Sequence, residues 1–111
     1  MLSRFACVLA CTVSAGAVFA QAEKETVCAV QGDIVAAIQQ ARLDRVSKDK
    51  VIPTITAANP DWPSSAQTAM PSLVNWIYEQ RRRDLRKVEL GPLTKQQCLD
   101  NWDQLKTLSG S

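Results

Sequence analysis

A chain of 111 residues has room for one domain and no more. Its 13 basic residues against 11 acidic ones give a net charge near +2, too even a balance for the electrostatic footprint of a nucleic-acid-binding protein. Histidine is absent, which excludes His-based triads, histidine-ligated metals and the commonest general base.

The chain opens like an export signal. Arg4 supplies one positive charge, residues 5–20 carry none and are rich in Ala, Val, Leu and Cys, and acidic residues begin only at Glu23. A short basic start, an apolar stretch and small residues at a cut site define a secretory signal. Cleavage fits after Ala20 or after Ala22, so the expected organisation is a signal peptide over 1–22 and a helical domain over 23–111. The uncharged stretch is shorter than the ~20 residues a spanning helix needs, and no transmembrane segment is expected once the signal is removed. Cleavage also removes Arg4, Cys7 and Cys11, so the 13 basic residues become 12 against 11 acids, and two cysteines remain. In an oxidising compartment Cys28 and Cys98 are expected to pair. A bridge closing so long a loop contributes about 4 kcal/mol in the chain-entropy account, comparable with the whole stability of a small domain.

Val27, Val30, Ile34, Ala37, Ile38 and Ala41 recur at steps of three and four, the stripe of an amphipathic helix over about residues 25–45. Cys28 and Val35 sit at the edge of that stripe, and Gly32 inside it costs about 1 kcal/mol relative to Ala. Ser47 suits the N-cap of a second helix, with Val51, Ile52, Ile55 and Ala58 on its apolar side, Pro53 in its first turns and Asn59-Pro60 ending it. Trp62, between Asp61 and Pro63, is expected to fold back over the core. A third, long helix starts at Ser64 or Ser65, with a short turn before Pro71. It aligns Met70, Leu73, Val74, Ile77, Leu85 and Val88 on one face and stops at Gly91-Pro92. Thr94 to Gln97 matches a capping box and opens a fourth helix with Cys98, Trp102 and Leu105 on a shared face. The expected fold is all-α: a small four-helix domain with one disulfide following an N-terminal signal peptide.

Little in this chain promises chemistry. The glycines are scattered, so there is no phosphate-cradling loop, and both remaining cysteines are assigned to the bridge. Carboxylates pair only near the ends, at Glu23 with Glu25 and at Asp100 with Asp103, where a solvating role is the simpler reading. No catalytic residue, metal site or cofactor is expected, and the chain reads as a non-enzyme.

The most charged segment is 81–87. On a continuous helix Arg82 and Arg86 project outward with Glu79, which can pair with Arg82 or Arg83. Such pairs mostly solvate a face, and the functional alternative is a patch for an anionic partner. Trp76 lies off the main stripe beside Arg83 and Lys87, either covered by a neighbouring helix or exposed in a binding surface. Trp76, Arg82, Arg83 and Arg86 therefore form the candidate interaction face. Arg81 falls inside the apolar stripe between Ile77 and Leu85, where a buried guanidinium must find a carboxylate such as Asp84 or snorkel to the rim.

Cys28, the Ala-Arg-Leu-Asp-Arg of 41–45, the Asn-Pro-Asp-Trp-Pro of 59–63, Ile77-Tyr78 followed by Arg81 to Arg83, Leu90-Gly91 and Cys98 together resemble a group of small exported proteins of alphaproteobacteria. The resemblance implies a periplasmic or secreted location and a helical fold, and it implies no activity. The leading expectation is a non-catalytic periplasmic binding or interaction protein, its partner an envelope protein or an anionic envelope component. Two alternatives are an inhibitor or immunity-type protein and an acid-activated periplasmic chaperone. For the last, protonating all 11 acids would take the mature chain to about +12 and loosen a thin core.

Overall fold

The computed structural model describes residues 15–108, with side chains from 21 to 105. Most of the expected signal, residues 1–14, lies outside the described residues. The described chain is helical and contains no strand among those residues. Helix α1 spans Ala15–Leu43, starting earlier than the stripe alone suggested and running through both expected cleavage points. Ala, Gln, Glu and Lys dominate residues 20–25 and are strong helix formers, and no proline interrupts them.

Helix α1 buries two lines of residues rather than one. The expected stripe holds, with Ile34, Ile38 and Ala41 buried. A second line, Cys28, Gly32, Val35 and Gln39, is also buried, because α1 is packed on two sides. The first line faces α2 (Val51–Ala58) and α3 (Met70–Tyr78). The second faces α5 (Leu90–Asp100). Ile34, Ile38, Val51, Met70, Ile77 and Leu85 are the larger side chains of the core.

Three contacts fix the α1–α5 pair. Cys28 is bonded to Cys98, 70 positions later, with their Cα atoms 5.4 Å apart. Next along α1, Gly32 lies against Gly91 and Lys95, so closely that a Cβ on Gly32 would stand 2.9 Å from the Gly91 carbonyl oxygen. Further on, the Gln39 side chain meets Leu90. Rising numbers on α1 thus meet falling numbers on α5, and the helices run antiparallel. The buried cost of Gly32 has its reason here: a side chain would push the two backbones apart.

The expected second helix is preceded by a 3-10 turn, Lys48–Lys50, and Ser47 stands at the cap of that turn without a side-chain cap hydrogen bond. Helix α2 ends at Ala58, before Asn59-Pro60, and Trp62 packs on the core. A second 3-10 turn, Ser64–Ala69, leads into α3, which has Pro71 in its first positions.

The long third helix of the sequence reading is divided. Helix α3 closes at Tyr78, Arg81 is extended at φ −73° and ψ 139°, and a single turn, α4 (Arg82–Leu85), follows. The break changes which side chains reach the interior. Leu85 is buried as expected, whereas Val88 is 41% exposed instead of joining the core face. Arg81, expected inside the apolar stripe, is exposed instead: it stands at the N-cap of α4, and its carbonyl accepts the N–H groups of Asp84 and Leu85. No carboxylate pairs with it among the described residues.

The fourth helix also starts earlier than the capping box indicated. Helix α5 begins at Leu90, with Gly91 and Pro92 in its first turn, and Thr94 lies within it. Its first N–H is satisfied not by a local cap but by Gln39 Oε1 at 3.0 Å. A turn at Asn101 separates α5 from α6 (Trp102–Leu108); Trp102 is half-buried, and Leu105, though exposed, lines a shallow groove together with Cys98. No helix among the described residues is long and apolar enough to cross a membrane.

Candidate functional site

The last turn of α1 is closed by two backbone bonds, Val46 N–H to the Ala41 carbonyl at 2.9 Å and Arg45 N–H to the Arg42 carbonyl at 3.2 Å. This is the Schellman pattern, which ordinarily places glycine in the left-handed position. Here that residue is Arg45, with φ 64°. An L side chain in that region costs about 1 kcal/mol, and strain of this kind concentrates at functional sites.

The chain after α3 packs against that terminus. Tyr78 donates its hydroxyl to the Val46 carbonyl at 2.7 Å. The Arg42 guanidinium stacks over the Tyr78 ring, 5.2 Å from its centre, and its Nη2 donates to the Gln80 carbonyl at 3.3 Å. Arg42 Nε is buried without a hydrogen-bond partner. Burial raises the Tyr78 hydroxyl above its ordinary pKa, an effect opposed by the Arg42 charge.

The Arg42–Gln80 contact brings the end of α1 to the segment that carries Arg82. Arg82, first residue of α4, feels the charge of Arg45 most strongly and those of Arg42 and Arg86 as well, and together with its partial desolvation these hold its pKa below the usual arginine value. Three acids lie in or beside these segments. Asp44 accepts a hydrogen bond from Gln40 at 3.0 Å, and Asp84 lies 4.0 Å from Arg83. Glu89 lines a shallow groove of about 470 Å³ together with Arg86, beside Leu43, Leu85 and Val88. No ion pair joins a carboxylate to Arg42, Arg45 or Arg82 among the described residues. Nine of the chain's 13 basic residues fall in the two stretches 42–50 and 81–87, which contain three acids, Asp44, Asp49 and Asp84. These two stretches are therefore strongly basic although the whole chain is nearly neutral.

The expected interaction face is distributed as follows. Arg82 is half-buried within the cluster, and Arg86 is exposed beside it. Arg83 is exposed and beside Asp84. Trp76 is 47% exposed on α3, before the break, so the helical wheel that grouped it with Arg83 and Lys87 does not run through to them. The disulfide pair, Cys28 and Cys98, is bonded and buried. Arg42, Arg45 and Tyr78 escaped the sequence reading as site residues. Basic residues in a last helical turn ordinarily serve the helix dipole, and the available signal was an arginine where a C-terminal glycine belongs. Among the described residues no group of three or more Cys, Asp or Glu is placed to hold a metal ion.

Comparison with known proteins finds no match: no family model fits the chain, and no curated protein and no solved structure is similar to it.

Proposed function

We propose that this chain is an exported, non-catalytic binding protein whose basic end engages an anionic component of the cell envelope. The observation that carries the reading is the packing of the end of α1, with Arg42 and Arg45, against the segment that carries Arg82, through Arg42 on Tyr78 and the Gln80 carbonyl and Tyr78 on the Val46 carbonyl, with no ion pair from a carboxylate to Arg42, Arg45 or Arg82 among the described residues. Like charges gathered on one surface oppose folding, so a fold that retains them is readily explained by an external anion. The export half of the reading rests on the signal-like start of the sequence, the resemblance to small exported alphaproteobacterial proteins, and a disulfide of the kind that persists in oxidising compartments. A periplasmic or secreted location follows from these.

The test is recovery of envelope components on the immobilised mature protein, compared with Arg82→Glu and Trp76→Ala. The reading expects loss with Arg82→Glu and little change with Trp76→Ala. Equal recovery on the wild type and Arg82→Glu, with both folded by circular dichroism, would refute it. Fractionation of the host cell, with mass spectrometry of the thiols, tests location: free thiols in a protein recovered from the cytoplasm contradict export.

A further inference from the structure

The geometry points to the Arg81–Arg82 peptide bond as a processing site for an endopeptidase specific for basic residues, whose cut leaves a two-chain protein joined by the Cys28–Cys98 disulfide.

The consecutive arginines Arg81, Arg82 and Arg83 stand where the chain leaves α3 and enters α4. A protein that binds a peptide through its main chain takes it extended, and a protease that selects a basic residue does so with a carboxylate in its primary pocket. Arg81 already meets both demands. It is exposed, and its backbone is extended at φ −73° and ψ 139°. Other basic residues are less suited. Lys24 and Arg42 lie within α1, and Lys95 within α5. Arg45 is left-handed, Lys48 and Lys50 belong to a 3-10 turn, and Arg86 is helical. Lys87 is followed by Val88, whose carbonyl is held by Gln39 at 2.7 Å.

The segment can open without disturbing the core. Upstream, Ile77 is buried and Tyr78 is bonded to the Val46 carbonyl. Downstream, Leu85 is buried and its carbonyl accepts the Gln39 amide at 2.7 Å. Residues 79–84, between these anchors, are all exposed or half-buried. Extending them gives up the contact of Arg42 with the Gln80 carbonyl and the backbone bonds of one helical turn, from Asp84 and Leu85 to Arg81 and from Arg86 to Arg82. Opening of so few bonds at the surface lies well below global unfolding in cost, and exposed connections of this kind are where nicking concentrates.

In the cut, water adds across the amide: Arg81 gains a carboxylate and Arg82 an amine. Residues before the cut keep α1, α2 and α3, and those after it keep α4 and α5. The two parts stay together because α1 remains packed on α5 and Cys28 remains bonded to Cys98. The site does not depend on the anion-binding reading, and either can fail alone.

The test uses dilute trypsin, a protease of this class, on the oxidised mature protein, with intact mass followed over time before and after reduction. The first product should gain one water without losing mass, and reduction should release one fragment ending at Arg81 and another beginning at Arg82. Arg81→Gln should slow cutting at this bond by about a hundredfold. Arg82→Pro should abolish it and still fold, because proline suits a first helical position and the residue before it is extended, as Arg81 is. If Arg82→Pro fails to fold, Arg81→Gln carries the test. Local opening also predicts that Gly91→Ala, destabilised at the distant α1–α5 contact, is cut within about twofold of the wild-type rate; cutting through global unfolding would be faster by about thirtyfold. Protein recovered from its native compartment should include the two-chain form. A first cut at another bond, parts that separate before reduction, an unchanged rate in Arg81→Gln, a thirtyfold rise in Gly91→Ala, or single-chain protein alone in the native compartment would overturn the proposal.

Discussion

The side-chain oxygen of Gln39 accepts the backbone N–H of Leu90 at 3.0 Å, across 51 positions of sequence. The nitrogen of the same amide donates to the carbonyls of Leu85 and Val88, each at 2.7 Å. One buried amide therefore closes the end of α4, the connection and the first turn of α5. Leu85 is thereby held in the core, and Arg82 and Arg86, on the same short turn, stand in fixed relation to the end of α1.

Replacing Gln39 by Ala is expected to destabilise the fold by about 3 kcal/mol, because at least two buried backbone groups lose their partners. Gln39→Glu provides a sharper check. A carboxylate there faces two carbonyl oxygens and is desolvated, so its pKa in the folded state must rise above the unfolded value. With the folded pKa raised, the variant is least impaired below the unfolded carboxyl pKa of ~4.3 and loses stability as pH increases toward the folded value. Urea unfolding of wild type and Gln39→Glu at pH 4 and pH 7 measures this. A deficit that does not grow at pH 7 would contradict the geometry.

The closeness of α1 and α5 makes an opposite prediction to helix propensity. Alanine at Gly91 should favour an isolated helix by about 1 kcal/mol. Its Cβ, however, would stand 2.7 Å from Ala36 Cβ and 2.9 Å from the Gly32 carbonyl oxygen. Gly91→Ala is expected to destabilise by about 2 kcal/mol through overpacking. Adding Ala36→Gly should recover part of the loss, because the Gly32 carbonyl remains in the way. A double-mutant cycle in thermal unfolding reads the coupling.

These two contacts also mark where the sequence was legible. The stripe Ile34, Ile38 and Ala41 announced one buried face of α1, and Cys28 with Cys98 announced the staple, because periodicity and cysteine count are local or purely numerical signals. The second buried face was not legible. Gly32 reads only as a weak spot, and nothing singles out Gln39, until α5 is known to lie against them. Arg81 and Val88 were misplaced for the same reason: a helical wheel assumes one axis, and the turn at Glu79–Gln80, closed by the Gln80 N–H to the Ile77 carbonyl at 3.1 Å, starts another. Of the candidate site, the arginines on 82–86 could be seen as a charged run, but their meeting with Arg42 and Arg45 depends on tertiary folding.

Tyr78 gives a spectroscopic handle on the junction, since it is the only tyrosine in the chain. Burial raises its pKa, with Arg42 acting against that rise. A folded pKa above the unfolded value near 10 means that its stabilising share is complete below pH 10 and is lost as pH rises through the folded value. Ultraviolet titration at the tyrosinate band should therefore show a midpoint above 10 in the folded protein and near 10 in urea. Tyr78→Phe should cost about 1 kcal/mol at neutral pH, through loss of the bond to Val46, and flatten the alkaline limb of the stability profile. A midpoint at or below 10 in the native protein would contradict the packing of α1 against Tyr78.

Arg45 separates stability from binding most cleanly. Its left-handed backbone is one that glycine adopts without penalty, and its charge adds to the repulsion on Arg82. Arg45→Gly relieves both, so it is expected to raise stability by about 1 kcal/mol, or about 5 °C in melting temperature for a domain of this size. The same change removes one cation from the basic surface and should weaken recovery of the anionic envelope component. Stabilisation with loss of binding in one variant is the signature of a residue kept for a ligand rather than for the fold. Arg45→Lys completes the comparison: it keeps the charge and the strained backbone, so stability and recovery of the anionic component should both stay close to those of the wild type. If Arg45→Gly is destabilising in thermal unfolding, the turn at the end of α1 is not the strained Schellman closure described above.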